Sequence, residues 1–147
     1  MLDGDNVRVG LNSDLGFSPE DRGENIRCIG EVAALFADAG VIVITAFISP
    51  YVADRRLAQS AGKHQFHEIY IEADLDTCEK RYTKGLYKQA RREEIPEFTG
   101  ISAPYEAPEN PTLTVNTSTL SIQQGIDVLI DYIDANFVEK QGVTTVA

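Results

Sequence analysis

An apolar, β-branched run, Val41-Ile42-Val43-Ile44-Thr45-Ala46-Phe47-Ile48, follows directly on a stretch written as a capped helix, and this pair constrains the fold most strongly. Such a run lacks the polar alternation of a half-solvated strand, so it predicts a strand covered on both faces, as in a parallel sheet. It stops at Ser49-Pro50. Upstream, Ser18 is placed as an N-cap, Pro19 at the first helical position, Asp21 to close a capping box, and Gly40 just beyond the helix end. Ile26, Ile29, Ala33 and Phe36 recur on one stripe of that helix, and Arg22 and Asn25 share another face near its N-terminus, where free N–H groups and the dipole favour an anion.

A second strand, Glu68-Ile69-Tyr70-Ile71-Glu72, leads into Asp74 and a short helix around Thr77 to Arg81. Leu113-Thr114-Val115 reads as a short edge strand, and the last helix carries Ile122, Ile126, Leu129, Ile130, Ile133 and Phe137 on one face. Between them, the proline spacing of residues 103–111 precludes a helix and predicts an ordered loop. Helices alternating with strands predict the α/β class, a parallel sheet flanked by helices. Ligands of such sheets sit at the carboxyl ends of the strands, so Asp3 to Asp5, Phe47 to Pro50 and Ala73-Asp74 are expected to converge on one crevice.

With 147 residues and 43% hydrophobic content the chain can bury one core, which places one domain over residues 1–138. Residues 139–147 have no apolar period and are expected to be a disordered tail. No apolar run is long enough to span a bilayer and the N-terminus lacks the pattern of a signal peptide, so a cytoplasmic location is expected. The net charge of −10 repels nucleic acid and anionic membrane, and neither is expected as a partner. Cys28 and Cys78 lack metal-ligand spacing and read as reduced thiols. Yet six of the thirteen Lys and Arg residues fall between Lys80 and Arg92. That segment is either a solvated helix face partnered by Glu93 and Glu94 or a mobile lid over phosphates.

The chemistry concentrates in Leu2-Asp3-Gly4-Asp5-Asn6-Val7-Arg8 and in Gly16-Phe17-Ser18-Pro19-Glu20-Asp21-Arg22-Gly23-Glu24-Asn25-Ile26-Arg27. Arginine forks grip phosphate or sulfate, carboxylates tether magnesium and accept a proton, and an aromatic face stacks on a base. The inventory suits an anionic nucleotide beside a divalent metal. Plainer roles compete at single positions: Asp3 as a helix cap, Phe17 as core, Arg27 as a surface ion-pair partner. No G-x-x-x-x-G-K-[ST] phosphate loop occurs in these residues. The chain reads as a nucleotide kinase lacking its front end.

These blocks, in this order, resemble the adenylylsulfate kinase (APS kinase) family over roughly residues 2 to 135. The resemblance rests on Asp3-Gly4-Asp5-Asn6-Val7-Arg8, Leu15-Gly16-Phe17-Ser18, Asp21-Arg22 with Glu24-Asn25-Ile26-Arg27, Phe47-Ile48-Ser49-Pro50, Lys84-Gly85-Leu86-Tyr87-Lys88, Phe98-Thr99-Gly100-Ile101 and Pro104-Tyr105-Glu106-Ala107-Pro108. It implies a P-loop nucleotide kinase-like fold, here without the first strand and phosphate loop. The implied reaction moves the γ-phosphoryl group of ATP, with Mg2+, to the 3′-hydroxyl of adenosine 5′-phosphosulfate in sulfate assimilation. Among implied catalytic positions, Asp3 and Asp5 serve the metal and the attacking hydroxyl, with Ser49 and Lys84 beside them. Arg8, Phe17, Arg22, Asn25, Ile48, Ser49 and Phe98 are implied to bind substrate, Phe17 and Phe98 on the two faces of the adenine. Lys84, Lys88 and Arg91 are implied to form the lid over ATP. The resemblance also gives Ser49 a phosphoserine role, which direct in-line transfer does not need. Implied partners beyond the two substrates are a second copy of the chain and an ATP sulfurylase.

Val9 stands where the family commonly has histidine, Tyr82 where it has aspartate before the lid, and Ser102 where aspartate often follows Gly-Ile. Without the phosphate loop the β- and γ-phosphates lose their cradle, so little or no activity is expected of these residues alone. The competing reading is a catalytically inactive module that binds adenylyl sulfate or docks on another subunit.

Overall fold

The computed structural model describes residues 1–62, 66–82 and 85–138. In chain order the elements are β1 (Leu2–Asp3), α1 (Gly4–Val9), α2 (Pro19–Asp38), β2 (Thr45–Ala46), α3 (Val52–Gly62), β3 (Ile69–Glu72), α4 (Leu75–Arg81), α5 (Leu86–Arg91), β4 (Leu113–Asn116) and α6 (Ile122–Asn136). Every ladder is parallel, as the α/β pattern requires. The expected tail over residues 139–147 lies outside the described residues, as does Lys84. Among the described residues no helix is long and apolar enough to cross a membrane.

The long helix α2 begins where its caps place it. The Ser18 hydroxyl accepts from the Asp21 amide at 3.2 Å and Pro19 occupies the first turn. The capping box is left open, however, because the Asp21 carboxylate reaches past Ser18 to accept from the Gly16 amide at 3.0 Å. This bond folds the Gly16-Phe17 turn back onto the helix start. Ile26 and Ile29 are buried as their spacing predicts, whereas Phe36 is half-exposed, so the apolar stripe is covered only in its first half.

That covered half faces α3, and glycine permits the approach. A Cβ at Gly30 would meet Ala58 Cα at 2.9 Å, and one at Gly23 would meet Asp54 Oδ1 at 3.2 Å. The two glycines lie two turns apart on one stripe of α2, facing residues one turn apart on α3.

The sheet differs from expectation. Instead of one continuous sheet, the described strands form two parallel pairs, β1 with β2 and β3 with β4. The predicted strand over Val41 to Ile48 is reduced to Thr45–Ala46. Its partner β1 offers only Leu2 opposite Thr45 and Asp3 opposite Ala46, with the Leu2 amide donating to Ile44 O at 2.7 Å. A strand needs a neighbour about 4.8 Å away to satisfy its backbone, and Val41 to Val43 have none among the described residues. Val41, Ile42 and Ile44 consequently remain about half exposed (48–51%).

The second pair carries the remaining core. Val115 on β4 is 1% exposed and packs under Gly125 of α6, where an added Cβ would stand 3.6 Å from Val115 Cγ1. The isoleucine row expected to cover this sheet is displaced: Ile122, Ile126 and Ile130 are exposed, and Gly125 is the buried residue of α6. Glycine gives the closest approach, so the helix sits on it rather than on the branched side chains flanking it. A full capping box between Ser121 and Gln124 fixes the start of α6, and His67 is hydrogen-bonded to Tyr132 near its end.

Two stability predictions follow from these contacts. Gly30→Val gains a few tenths of a kcal/mol in helix propensity but forces α2 away from Ala58, an overpacking cost of about 1–3 kcal/mol, so the urea midpoint should fall. Asp74, the N-cap of α4, accepts from Ser118 Oγ and from the Thr77 amide and hydroxyl, and these bonds hold its carboxyl down at about 2. The folded value lies below the unfolded one of about 3.9, so the stabilisation is present above pH ~4 and is lost as pH falls toward 2. The melting-temperature deficit of Asp74→Ala should therefore be full at pH 7 and shrink between pH ~4 and ~2.

Candidate acceptor site

The sequence Asp3-Gly4-Asp5 turns the chain from strand into helix. Asp3 is the N-cap of α1, and its Oδ1 accepts from the Asp5 amide at 2.9 Å. The plainer role weighed for Asp3 is therefore real, but one oxygen performs it. Asp3 and Asp5 both line a crevice of about 230 Å3 at the carboxyl ends of β1 and β2. Its walls are the Asp3–Asp5 turn and Arg8 on one side, Phe17, Arg22 and Asn25 on another, and Ala46, Phe47 and Ile48 on the third.

Phe17 is not core: it is 62% exposed. The Arg8 guanidinium lies over its ring at 4.5 Å and that of Arg22 at 5.6 Å, within cation–π range. Each arginine is aimed by loop carbonyls. Arg8 Nη1 donates to Leu15 O at 3.0 Å and Gly16 O at 2.7 Å. Arg22 donates through Nε to Phe17 O and through Nη2 to Glu97 O, both at 3.0 Å. Burial, and next the positive charge of Arg22, push Arg8 below its ordinary value, with Asp21 opposing. Two like charges held this close to an exposed ring gain most from an arriving anion.

Asn25 is 3% exposed on α2, and its Oδ1 accepts from Asn12 Nδ2 at 2.9 Å. That bond leaves the amide nitrogen to donate into the crevice. No sequence signal pointed to Asn12, an isolated polar residue in a turn. Arg27 pairs with Glu24 at 2.7 Å on the outer face of α2 and belongs to the surface.

The other expected members lie apart. Ser49 follows the wall residue Ile48, and its carbonyl is held by Arg55 at 2.7 Å. Phe98 does not line the crevice; its ring packs edge-on against Tyr87 at 5.0 Å, and Arg22 tethers the preceding carbonyl. Asp74, expected in the same crevice, caps α4 on the other strand pair with both carboxylate oxygens engaged. Of the basic segment, Arg81 donates to Thr117 O, Arg91 pairs with Glu79, and Arg92 approaches Glu94 at 3.9 Å. Lys88 projects from the exposed side of α5, whose Ala90 is buried.

Among the described residues there is no group of three or more His, Cys, Asp or Glu able to enclose a metal. Two carboxylates at a crevice mouth fit an ion that arrives with phosphate and keeps its waters, and they do not fit a closed protein cage. The geometry thus provides an anion grip beside an aromatic face, with carboxylates lining the same crevice.

Comparison with known proteins identifies the family. The family model for adenylylsulphate kinase matches residues 1–116. The adenylyl-sulfate kinase of Staphylococcus epidermidis is 58% identical over 133 residues, 90% of this chain and 67% of that protein. That of Bacillus pumilus is 57% identical over 134 residues, again 90% of this chain and 68% of the relative. Among solved structures, the Mycobacterium tuberculosis APS kinase CysC in complex with AMPPNP and APS superposes with a TM-score of 0.85 at 44% identity, covering 90% of this chain and 78% of that one. Family model, relatives and fold coincide over the segment that builds the crevice, and the chain belongs to the adenylylsulphate kinase family of phosphotransferases.

Proposed function

We propose that the crevice is an acceptor site for adenosine 5′-phosphosulfate, whose 3′-hydroxyl receives the γ-phosphoryl group of ATP to give 3′-phosphoadenosine 5′-phosphosulfate in cytoplasmic sulfate assimilation. The observation that carries this reading is the exposed Phe17 ring flanked by the Arg8 and Arg22 guanidinium groups. A purine needs a π-face and a phosphosulfate needs fixed positive charge, and here one cluster offers both. The complex of the M. tuberculosis relative with APS supports the choice of ligand.

In this reading Phe17 takes one face of the adenine, and Phe98 closes on the other as the Glu97 tether brings it across. Arg8, Arg22 and Asn25 hold the phosphosulfate and ribose, while Ile48 and the Ser49 backbone form the far wall. Asp5 orients the 3′-hydroxyl and accepts its proton late in the transfer, and Asp3 shares the charge. Asp3 and Asp5 would hold Mg2+, which when bound offsets negative charge on the transferring group. Lys88 and Arg91 serve as the lid with Lys84; Arg91 reaches the phosphates only after leaving Glu79. The donor phosphates need a backbone cradle that the 147 residues do not themselves contain.

Titration calorimetry with adenosine 5′-phosphosulfate tests the acceptor half. Phe17→Ala should weaken binding about tenfold or more, the scale of one lost base–aromatic stack, while Arg27→Ala should leave it unchanged. Wild-type chain giving no heat, or Phe17→Ala binding as tightly as wild type, overturns the reading. In a coupled assay with ATP and magnesium, the polypeptide of these 147 residues should bind the acceptor yet turn over close to background, because each missing phosphate donor costs ~10²-fold or more in rate.

A further inference from the structure

The Arg55 guanidinium is hydrogen-bonded through all three of its nitrogens, and the mechanism above leaves it without a role. It sits on the inner face of α3, 9% exposed. Its guanidinium has three partners from three segments: Nη1 donates to Ser49 O, Nη2 to Glu106 O and Nε to Glu68 Oε1, each at 2.7 Å. The two carbonyls belong to loops that also bind each other. The Glu106 amide donates to Pro50 O at 2.8 Å, and the Glu106 carboxylate accepts from the Val52 amide at 2.7 Å. Phe47 and Ile48, immediately before Ser49, form one wall of the crevice.

We infer that Arg55 is a positioning residue for the acceptor crevice, its fork on Ser49 O and Glu106 O fixing the wall that Phe47 and Ile48 present to the ligand. The inference rests on the crevice being the adenylyl sulfate site. The Glu68 carboxylate neutralises the buried charge and is hydrogen-bonded to neither Ser49 nor Glu106, so the ion pair supports the fold while the carbonyl bonds set the wall. A guanidinium meets three acceptors in one plane, whereas an ammonium in the same place keeps the charge and loses the geometry. Loop carbonyls have no ladder to fix them, and a wall displaced by about an ångström misplaces the ligand.

Arg55→Lys and Glu68→Gln separate the two roles. Both variants are compared with wild type for adenosine 5′-phosphosulfate affinity by calorimetry, urea midpoint, and hydrogen exchange at the Val52 and Glu106 amides. Arg55→Lys should bind about tenfold or more weakly with faster exchange at both amides, whereas Glu68→Gln should stay within about twofold in affinity even where its urea midpoint drops as far. Affinity that merely follows the urea midpoint in both variants, or Arg55→Lys binding as wild type, overturns the inference. Should Arg55→Lys not fold, exchange in wild type decides: ligand must slow both amides, and unchanged rates overturn the role. Absence of any wild-type heat removes the acceptor reading instead, and unchanged amide exchange in Arg55→Lys then removes the wall-setting role separately.

Discussion

The close approach of α2 and α3 is the constraint on which the site depends. Gly23 and Gly30 present bare backbone to Asp54 and Ala58, and no side chain other than hydrogen fits at Gly30 without moving a helix. Arg22 and Asn25, which line the crevice, project from the first two turns of α2, and Arg55, which holds the carbonyl next to the Phe47-Ile48 wall, projects from α3. A change in the separation of the two helices therefore alters the distance between the anion grip and the Phe47-Ile48 wall. Packed interiors transmit such shifts rather than absorb them. Burial of Ile26 and Ile29 stabilises the contact at about 25 cal/mol per Å2 of apolar surface removed from water, while the glycines determine how near the helices come.

The crevice is electrostatically unfinished. Arg8 and Arg22 share one aromatic ring, and Asp21, the acid nearest them at the helix start, has one oxygen committed to the Gly16 amide. Asp3 likewise has one oxygen committed to its own helix. Both acids are thus structural and electrostatic at once. The guanidinium groups of Arg8 and Arg22 and the carboxylates of Asp3 and Asp5 line one crevice, which favours a ligand that carries both an anionic group and a hydroxyl.

Much of this could be read in the residues, and what could not has physical causes. The start of α2 was legible because caps are local: Ser18, Pro19 and Asp21 act within one turn. Arg8, Arg22 and Asn25 were legible as a polar set because they crowd a short segment. The extent of β2 was not, since a strand exists only as far as its neighbour does, and apolar β-branched residues say nothing about where that neighbour ends. For the same reason the helix α6 settled on Gly125 instead of its isoleucine row, a choice made by the shape of β4 rather than by periodicity. Asp74 matched a strand-end ligand in position, yet Thr77 and Ser118 engage it as a cap. Asn12 escaped notice because its partner lies 13 residues away, and Arg55 because its partners lie 6, 13 and 51 residues away in three separate segments.

Three arginines share one device that explains how loops with so little sheet behind them hold a shape. Arg8 joins Leu15 O to Gly16 O, Arg22 joins Phe17 O to Glu97 O, and Arg55 joins Ser49 O to Glu106 O. Each guanidinium thus ties two loop carbonyls; Arg8 and Arg22 line the crevice and Arg55 stands behind its Phe47-Ile48 wall. Loop carbonyls near a ligand must be satisfied without a ladder, and a charged donor makes such bonds roughly twice as strong as a neutral one. An anion entering the crevice meets the guanidinium groups of Arg8 and Arg22, which line it.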